Sequence, residues 1–258
     1  IGVFISYVGS FVLSSVSGLL GARLLYGVLF IFAAITWIWR STSPTFAKFH
    51  LEALDNVSTS NIEKDSVSIR NVFQGVNGKR YLGVFVAILV FYVAWNLLAN
   101  TWGQFQTYAL TNAGASQAQA TGLGIILNVI SLITTMIFSS LAAGKYRNIA
   151  FFIGILVQFG AMIGMATLGG DSSFIALAIT IAFYNFGNPL AGEAIYKVWT
   201  QESFPVEMRA SLQGFINGFS RLAAGLFAFV TPYLVAPARI QSSMYVFAGI
   251  VLVSLFAG

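Results

Sequence analysis

Apolar residues fall in long runs separated by short polar punctuation, and the runs have the length of a bilayer rather than of a strand or a short core helix. A membrane span takes roughly 20 mainly apolar residues. Eight runs reach or approach that length: Ile1–Leu20, Leu24–Trp39, Tyr81–Tyr108, Gly122–Ala143, Ile149–Leu168, Phe174–Trp199, Ala210–Val235 and Ser243–Ala257. The long polar stretch is Ser41–Arg80, where Lys, Glu and Asp are balanced and apolar residues are sparse, a composition open to short helices or to disorder. Elsewhere the connections are short, as at Gly21-Ala22-Arg23, so neighbouring helices run antiparallel. The pattern predicts an all-α polytopic membrane protein.

Composition strengthens this reading. The chain has 258 residues, 57% hydrophobic and 8% charged, with a mean hydropathy of +0.82. A soluble domain carries about 25% charged residues. The 25 glycines suit close helix packing in lipid. Cysteine is absent, which excludes disulfides and thiolate metal sites. The net charge of +5 matters through its distribution, not as a nucleic-acid signal. With Ser41–Arg80 placed in the cytoplasm, alternation puts Arg40, Lys48, Lys64, Arg70, Lys79, Arg80, Lys145, Arg147 and Arg209 inside, and leaves Arg23 and Arg239 outside.

Two helices, a long loop and six more helices form a recognisable plan. Residues 1–40 read as the last two helices of one bundle, 41–80 as a cytoplasmic inter-bundle loop, and 81–258 as a whole six-helix C-terminal bundle. Ile1 is not a start residue and the last run is still apolar at Gly258, so the sequence reads as part of a longer chain.

Polar side chains inside the apolar runs are the candidate chemistry, because a charge at the bilayer centre costs about 2.5–3.5 kcal/mol even on the mild insertion scale. In the third run Tyr92, Asn96, Asn100 and Gln104 recur every four residues, one slowly drifting helix face, flanked by Trp95, Trp102 and Gln106. Amides that donate and accept can read the hydroxyls of a polyol, and aromatic faces stack on sugar C–H surfaces. The same stripe also suits hydrogen bonding between helices. The sixth run places Asn185, Asn188, Pro189 and Gly192 before Glu193, with Lys197 one turn on. The seventh places Gln213, Asn217 and Arg221 on one face. Glu193 and Arg221 lie at similar predicted depth, so the spacing predicts a Glu193–Arg221 pair. It stands either at a substrate cavity or as a permanently neutralised buried pair.

Glu202-Ser203-Phe204-Pro205-Val206-Glu207-Met208-Arg209 resembles the E-x-F-P-x-x-x-R signature after the tenth helix of sugar porters in the major facilitator superfamily. Gly21-Ala22-Arg23 is similar to their G-W-R turn, with Ala for Trp, and Arg40-Ser41-Thr42-Ser43-Pro44 to their R-x-x-S-P element. Gly144-Lys145-Tyr146-Arg147 sits where they carry D-x-x-G-R-[RK], with Ala143 in the acidic position. Asn100 falls on the Asn of their Q-Q-x-x-G-x-N element, with Ala94-Trp95 where the two Gln stand.

The resemblance implies a partial major facilitator fold, helices five to twelve, with the first four helices of the same protein supplying the opposite wall. It implies a secondary active transporter that moves a small polar solute, a sugar or a polyol such as inositol, with H+ by alternating access. It sits in the cell membrane in contact with the lipid bilayer, with neither a cofactor nor a nucleic-acid partner. The candidate substrate-binding residues are Trp95, Asn96, Asn100, Gln104, Glu193, Asn217 and Arg221. Glu202, Arg209 and Arg147 are the candidate gate, with Glu202 and Arg209 forming either a latch or a fixed interfacial pair. An organic anion or aromatic acid clamped by Arg221, and a nutrient sensor without net flux, are the alternatives. No Ser/His/Asp or Cys/His set and no phosphate-binding loop argues for an enzyme or an ATP-driven pump, and His50 stands alone in the polar loop. The sequon Asn56-Val57-Ser58 falls in the same loop, where it is expected to be silent.

Overall fold

The computed structural model describes residues 18–42, 78–142, 144–168, 174–234, 236 and 239–258, and among these every regular element is helical. The elements are α1 (Gly18–Thr42), α2 (Gly78–Asn112), α3 (Gln117–Leu141), α4 (Arg147–Leu168) and α5 (Phe174–Leu190). Then follow α6 (Glu193–Ser203), α7 (Val206–Ala228), the single turn α8 (Thr231–Leu234) and α9 (Ile240–Ala257).

Local sequence sets the tight connection between α2 and α3. Gly114 takes φ +88°, and the bonds Ala115 N–H to Leu110 C=O and Gly114 N–H to Thr111 C=O, both 3.1 Å, close α2 in a Schellman motif. Two residues later Ser116 opens α3 with a capping box. Its hydroxyl accepts from Gln119 N–H at 3.2 Å, and the Gln119 side chain accepts from Ser116 N–H at 2.9 Å.

The long helix α2 is the hub, packed against α3, α5, α6, α7 and α9. α4 and α5 form the most intimate pair. They approach at Gly154 and Gly187, where a Cβ on Gly187 would sit 2.5 Å from the Gly154 carbonyl oxygen. Small residues let helix backbones meet in lipid, where apolar burial gives little net drive. Phe91, Phe151 and Trp199 form a cluster of edge-to-face rings 5.0–5.7 Å apart that ties α2, α4 and α6 together. The Ser254 hydroxyl donates to the Phe91 carbonyl at 3.3 Å, fixing α9 to α2.

Among the described residues, five helical stretches are long and apolar enough to cross a membrane: Gly78–Gly103, Gln117–Leu141, Arg147–Leu168, Phe174–Ser203 and Ile240–Ala257. Their outer faces are large apolar side chains, among them Ile126, Leu132, Met136, Phe152, Leu156 and Ile175. The protein is a multi-pass membrane protein, all-helical where described and consistent with a partial major facilitator fold. Of the remaining expected spans, Ile1–Leu20 lies almost wholly outside the described residues, as does most of Ser41–Arg80 with His50 and Asn56. Leu24–Trp39 lies within α1, an apolar helix whose described side chains are exposed except for half-buried Leu29 and Ala34. Of the run Ala210–Val235, the described residues fall in α7, α8 and the turn between them, and the run falls short of the others in apolarity because Gln213, Asn217, Ser220 and Arg221 interrupt it. Phe174–Trp199 is continuous in sequence pattern but divided in structure. α5 stops at Leu190 and α6 restarts at Glu193, across Ala191 and Gly192.

Candidate functional site

The polar face of α2 is built into a hydrogen-bonded layer with α5, α6 and α7. The Tyr92 ring lies between Tyr196 of α6, 3.9 Å away between centroids, and Trp95, at 5.6 Å. The Tyr92 hydroxyl donates to Asn217 Oδ1 at 2.9 Å, and Asn217 Nδ2 donates to the Tyr196 hydroxyl at 2.8 Å. A single amide of α7 therefore joins two stacked rings from two other helices. Trp95 Nε1 donates to Asn188 Oδ1 of α5 at 2.8 Å. Asn100 Nδ2 donates to the carbonyl and to the side-chain oxygen of Asn96, both at 2.9 Å.

The break between α5 and α6 follows from Pro189 and Gly192. Proline has no N–H, so the Asn185 carbonyl one turn earlier loses its helical donor. The Ser131 hydroxyl of α3 fills that place at 3.1 Å. Asn185 Nδ2 reaches Gln106 Oε1 at 3.3 Å, and buried Gln158 donates to the Gly187 carbonyl at 3.2 Å. The Asn185 carbonyl and the Asn185 and Gln158 amides near the break are thus engaged across helices, as hydrocarbon favours. Gly192 is needed for another reason. A Cβ there would collide with the Asn188 carbonyl oxygen and lie 2.8 Å from Trp95 Nε1. The indole reaches Asn188 only across a residue without a side chain.

The charges partner differently from the sequence expectation. Glu193 pairs with Lys197, at 2.7 Å, and not with Arg221. Lys197 is one turn away on the same helix, in the favourable Glu-before-Lys order, so no second helix has to be oriented to form the pair. Arg221 instead donates to Asn100 Oδ1 at 3.4 Å.

At the end of the bundle where α4 begins and α6 ends, Arg147 Nη1 pairs with Glu202 at 2.6 Å. The expected Glu202–Arg209 pair is not formed. Phe204 is extended at the α6–α7 corner, and Arg209 Nε donates to its carbonyl at 2.8 Å, holding the corner through the backbone. The proposed gate residues are therefore close in space but divided into a cross-helix ion pair and a corner brace.

Seen by exposure, the layer has an inner and an outer part. Asn96 is buried, and both ends of the half-buried Asn217 amide are engaged by Tyr92, Tyr196 and the Gln213 carbonyl. Half-buried Asn100 is at the boundary, and Arg221, Glu193 and Lys197 are exposed. The Gln104 side chain lies outside the described residues. Beside Asn100 a cleft of about 140 Å³ opens between α2, α7 and α8, lined by Asn100, Thr101, Phe105, Ala224, Ala228 and Thr231 among others. Among the described residues no group of three or more His, Cys, Asp or Glu side chains gathers to hold a metal. Sequence reasoning missed Tyr196 and the Ser131–Asn185 link. The signal for the latter was Pro189, whose missing N–H predicts a carbonyl in need of a donor.

No protein-family model matches the chain. It is similar to the minor myo-inositol transporter IolF of Bacillus subtilis (strain 168), 26% identical over 251 residues, which is 96% of this chain and 56% of the relative. The chain thus spans about half the length of the curated relative it matches. With the Glu202–Arg209 motif and the apolar helices, this similarity makes the chain resemble a major facilitator transporter of the sugar-porter type.

Proposed function

We propose that the protein is a secondary transporter that carries a small polar solute, a sugar or a polyol of the myo-inositol kind, across the cell membrane by alternating access with proton coupling. The observation that carries this reading is the layer of Tyr92, Trp95, Asn100, Asn188 and Asn217, drawn from three helices of a chain that is similar to a myo-inositol transporter. Polar groups inside a membrane helix bundle are expensive and mark solute or ion paths.

In this reading residues 1–40 close a first bundle, 41–80 form a cytoplasmic linker, and 81–258 form the second bundle. Further helices of the same protein supply the facing wall. Asn100 and Arg221 touch the solute, with the Glu193–Lys197 pair beside them. Trp95 stacks on its C–H face. Asn96 and Asn217 act one layer behind, holding Asn100 and the two tyrosine rings in place. The divided α5–α6 helix is the moving part, because its regular helix already breaks between Leu190 and Glu193. The Arg147–Glu202 pair closes one end in one state and opens in the other, biasing a two-state equilibrium.

Uptake of labelled myo-inositol into proteoliposomes, with and without an inward proton gradient, tests the reading. Accumulation above equilibrium with the gradient is the expected result. Absence of uptake for myo-inositol and for a panel of hexoses overturns transport of polyols, and uptake indifferent to the gradient overturns coupling.

A further inference from the structure

The outer edge of the polar layer carries two cations and one carboxylate. Glu193 and Lys197 neutralise each other at 2.7 Å, which leaves Arg221 as the uncompensated charge. Among the described residues no carboxylate pairs with it, and its guanidinium makes a long hydrogen bond of 3.4 Å to the neutral amide oxygen of Asn100. Asn100 Nδ2 is turned away onto Asn96, so its oxygen is the atom left facing the guanidinium. Arg221 is exposed and sits within α7, at neither end of it. Ala224 and Ala228, three and seven residues on, continue the same helix along the wall of the cleft that Asn100 also lines.

A guanidinium offers five N–H donors in a planar fork that matches a carboxylate with two parallel bonds. Here the guanidinium makes one long hydrogen bond, to Asn100, which lines a cleft together with Thr101, Phe105, Ala224 and Ala228. We infer that Arg221 is a carboxylate subsite, and that among polyols the preferred solute is a polyol acid: a ring or chain of hydroxyls bearing one carboxylate, of the hexuronate or aldonate class. The carboxylate takes the guanidinium fork, the adjacent hydroxyl bonds to the Asn100 oxygen, and the rest of the carbon skeleton lies in the cleft against Phe105. The inference rests on the transport reading and narrows its substrate class. The same fork also accepts a carboxylate from another helix of the protein, and the experiment separates the two sources.

The full-length protein in proteoliposomes takes up labelled myo-inositol in competition with three unlabelled probes: D-glucuronate, its methyl ester and D-glucose. Glucuronate competing at about tenfold or more lower concentration than the uncharged ester and glucose is the expected result, in line with charge-assisted hydrogen bonds to one anion. Equal competition by acid and ester overturns the inference and assigns the Arg221 fork to a protein carboxylate. Arg221→Gln is expected to lower the acid-over-ester preference about tenfold, and Arg221→Lys to keep part of it, since charge survives without the fork. An unchanged preference in a folded Arg221→Gln protein also overturns it. Binding of labelled glucuronate to the purified wild type is read alongside, so that a variant that fails to fold does not decide the matter. Absence of binding there sinks the carboxylate subsite. If neither myo-inositol nor any of a panel of hexoses is taken up, the transport reading fails, while tight glucuronate binding still supports the subsite.

Discussion

Arg147 and Glu202 meet at 2.6 Å across 55 residues of sequence, joining the first turn of α4 to the last turn of α6. Glu202 is half exposed, so the pair contributes little stability; exposed pairs contribute about 0–1 kcal/mol. Glu202→Gln or Arg147→Gln is expected to change melting temperature in detergent little. On the proposed gating role, the same change is expected to lower steady-state polyol uptake several-fold, the effect of about 1 kcal/mol on a two-state equilibrium. The double charge swap Arg147→Glu with Glu202→Arg should recover part of the uptake. Equal uptake in wild type and both single variants would mean that the pair plays no part in gating.

The Ser131 hydroxyl replaces the donor that Pro189 lacks. Ser131→Ala leaves the Asn185 carbonyl without it and is expected to cost about 1–2 kcal/mol. Pro189→Ala restores a backbone N–H at the right position. A double-mutant cycle of the two, read by thermal or denaturant unfolding in micelles, should therefore show coupling, with Ser131→Ala costing less in the Pro189→Ala background. Simple additivity would contradict this account of the helix break.

Glycines divide sharply by what a side chain would meet. A Cβ on Gly154 would lie 2.5 Å from the Leu190 Cβ, and one on Gly187 2.5 Å from the Gly154 carbonyl, whereas Gly160 and Gly218 have nothing within 4 Å. Gly154→Ala and Gly187→Ala should destabilise by about 1–3 kcal/mol through forced separation of α4 and α5. Gly160→Ala and Gly218→Ala should be neutral or stabilising by up to about 1 kcal/mol through helix propensity. Melting temperatures of the four variants in one detergent check the ranking.

Gly192→Ala puts a methyl group against Trp95 and the Asn188 carbonyl. The Trp95–Asn188 hydrogen bond should break. Polyol affinity should fall about tenfold or more if, as proposed, Trp95 stacks on the solute and Asn188 holds it in place. Equilibrium binding of labelled myo-inositol is the check, and unchanged affinity would mean that the Trp95–Asn188 contact does not shape the site.

The helices were legible in the sequence because the bilayer dictates their length, and long apolar runs leave little choice. Pro189 and Gly192 were visible as helix-breaking residues, yet the run from Phe174 to Trp199 hid the division, since hydropathy does not record backbone continuity. The polar stripes on the third, sixth and seventh runs were legible from four-residue spacing. Their partners were not. Whether Glu193 reaches across to Arg221 or along to Lys197 depends on how α6 and α7 are rotated about their axes, which depth alone does not encode. The Arg147–Glu202 pair was hidden for a similar reason. Both residues carried the family resemblance, but their meeting depends on how α4 packs against α6. The Gly154–Gly187 approach leaves only two glycines in the sequence, no different in appearance from Gly160.

The most direct test of the central claim is equilibrium binding of labelled myo-inositol to the purified protein, wild type against Asn100→Leu, with melting temperature as the control for folding. Asn100 stands where the buried amide layer meets the cleft and Arg221. The account predicts saturable binding that weakens about tenfold or more in the variant, the scale of one or two hydrogen bonds in a partly desolvated site. Binding of equal affinity in a folded Asn100→Leu protein would contradict it.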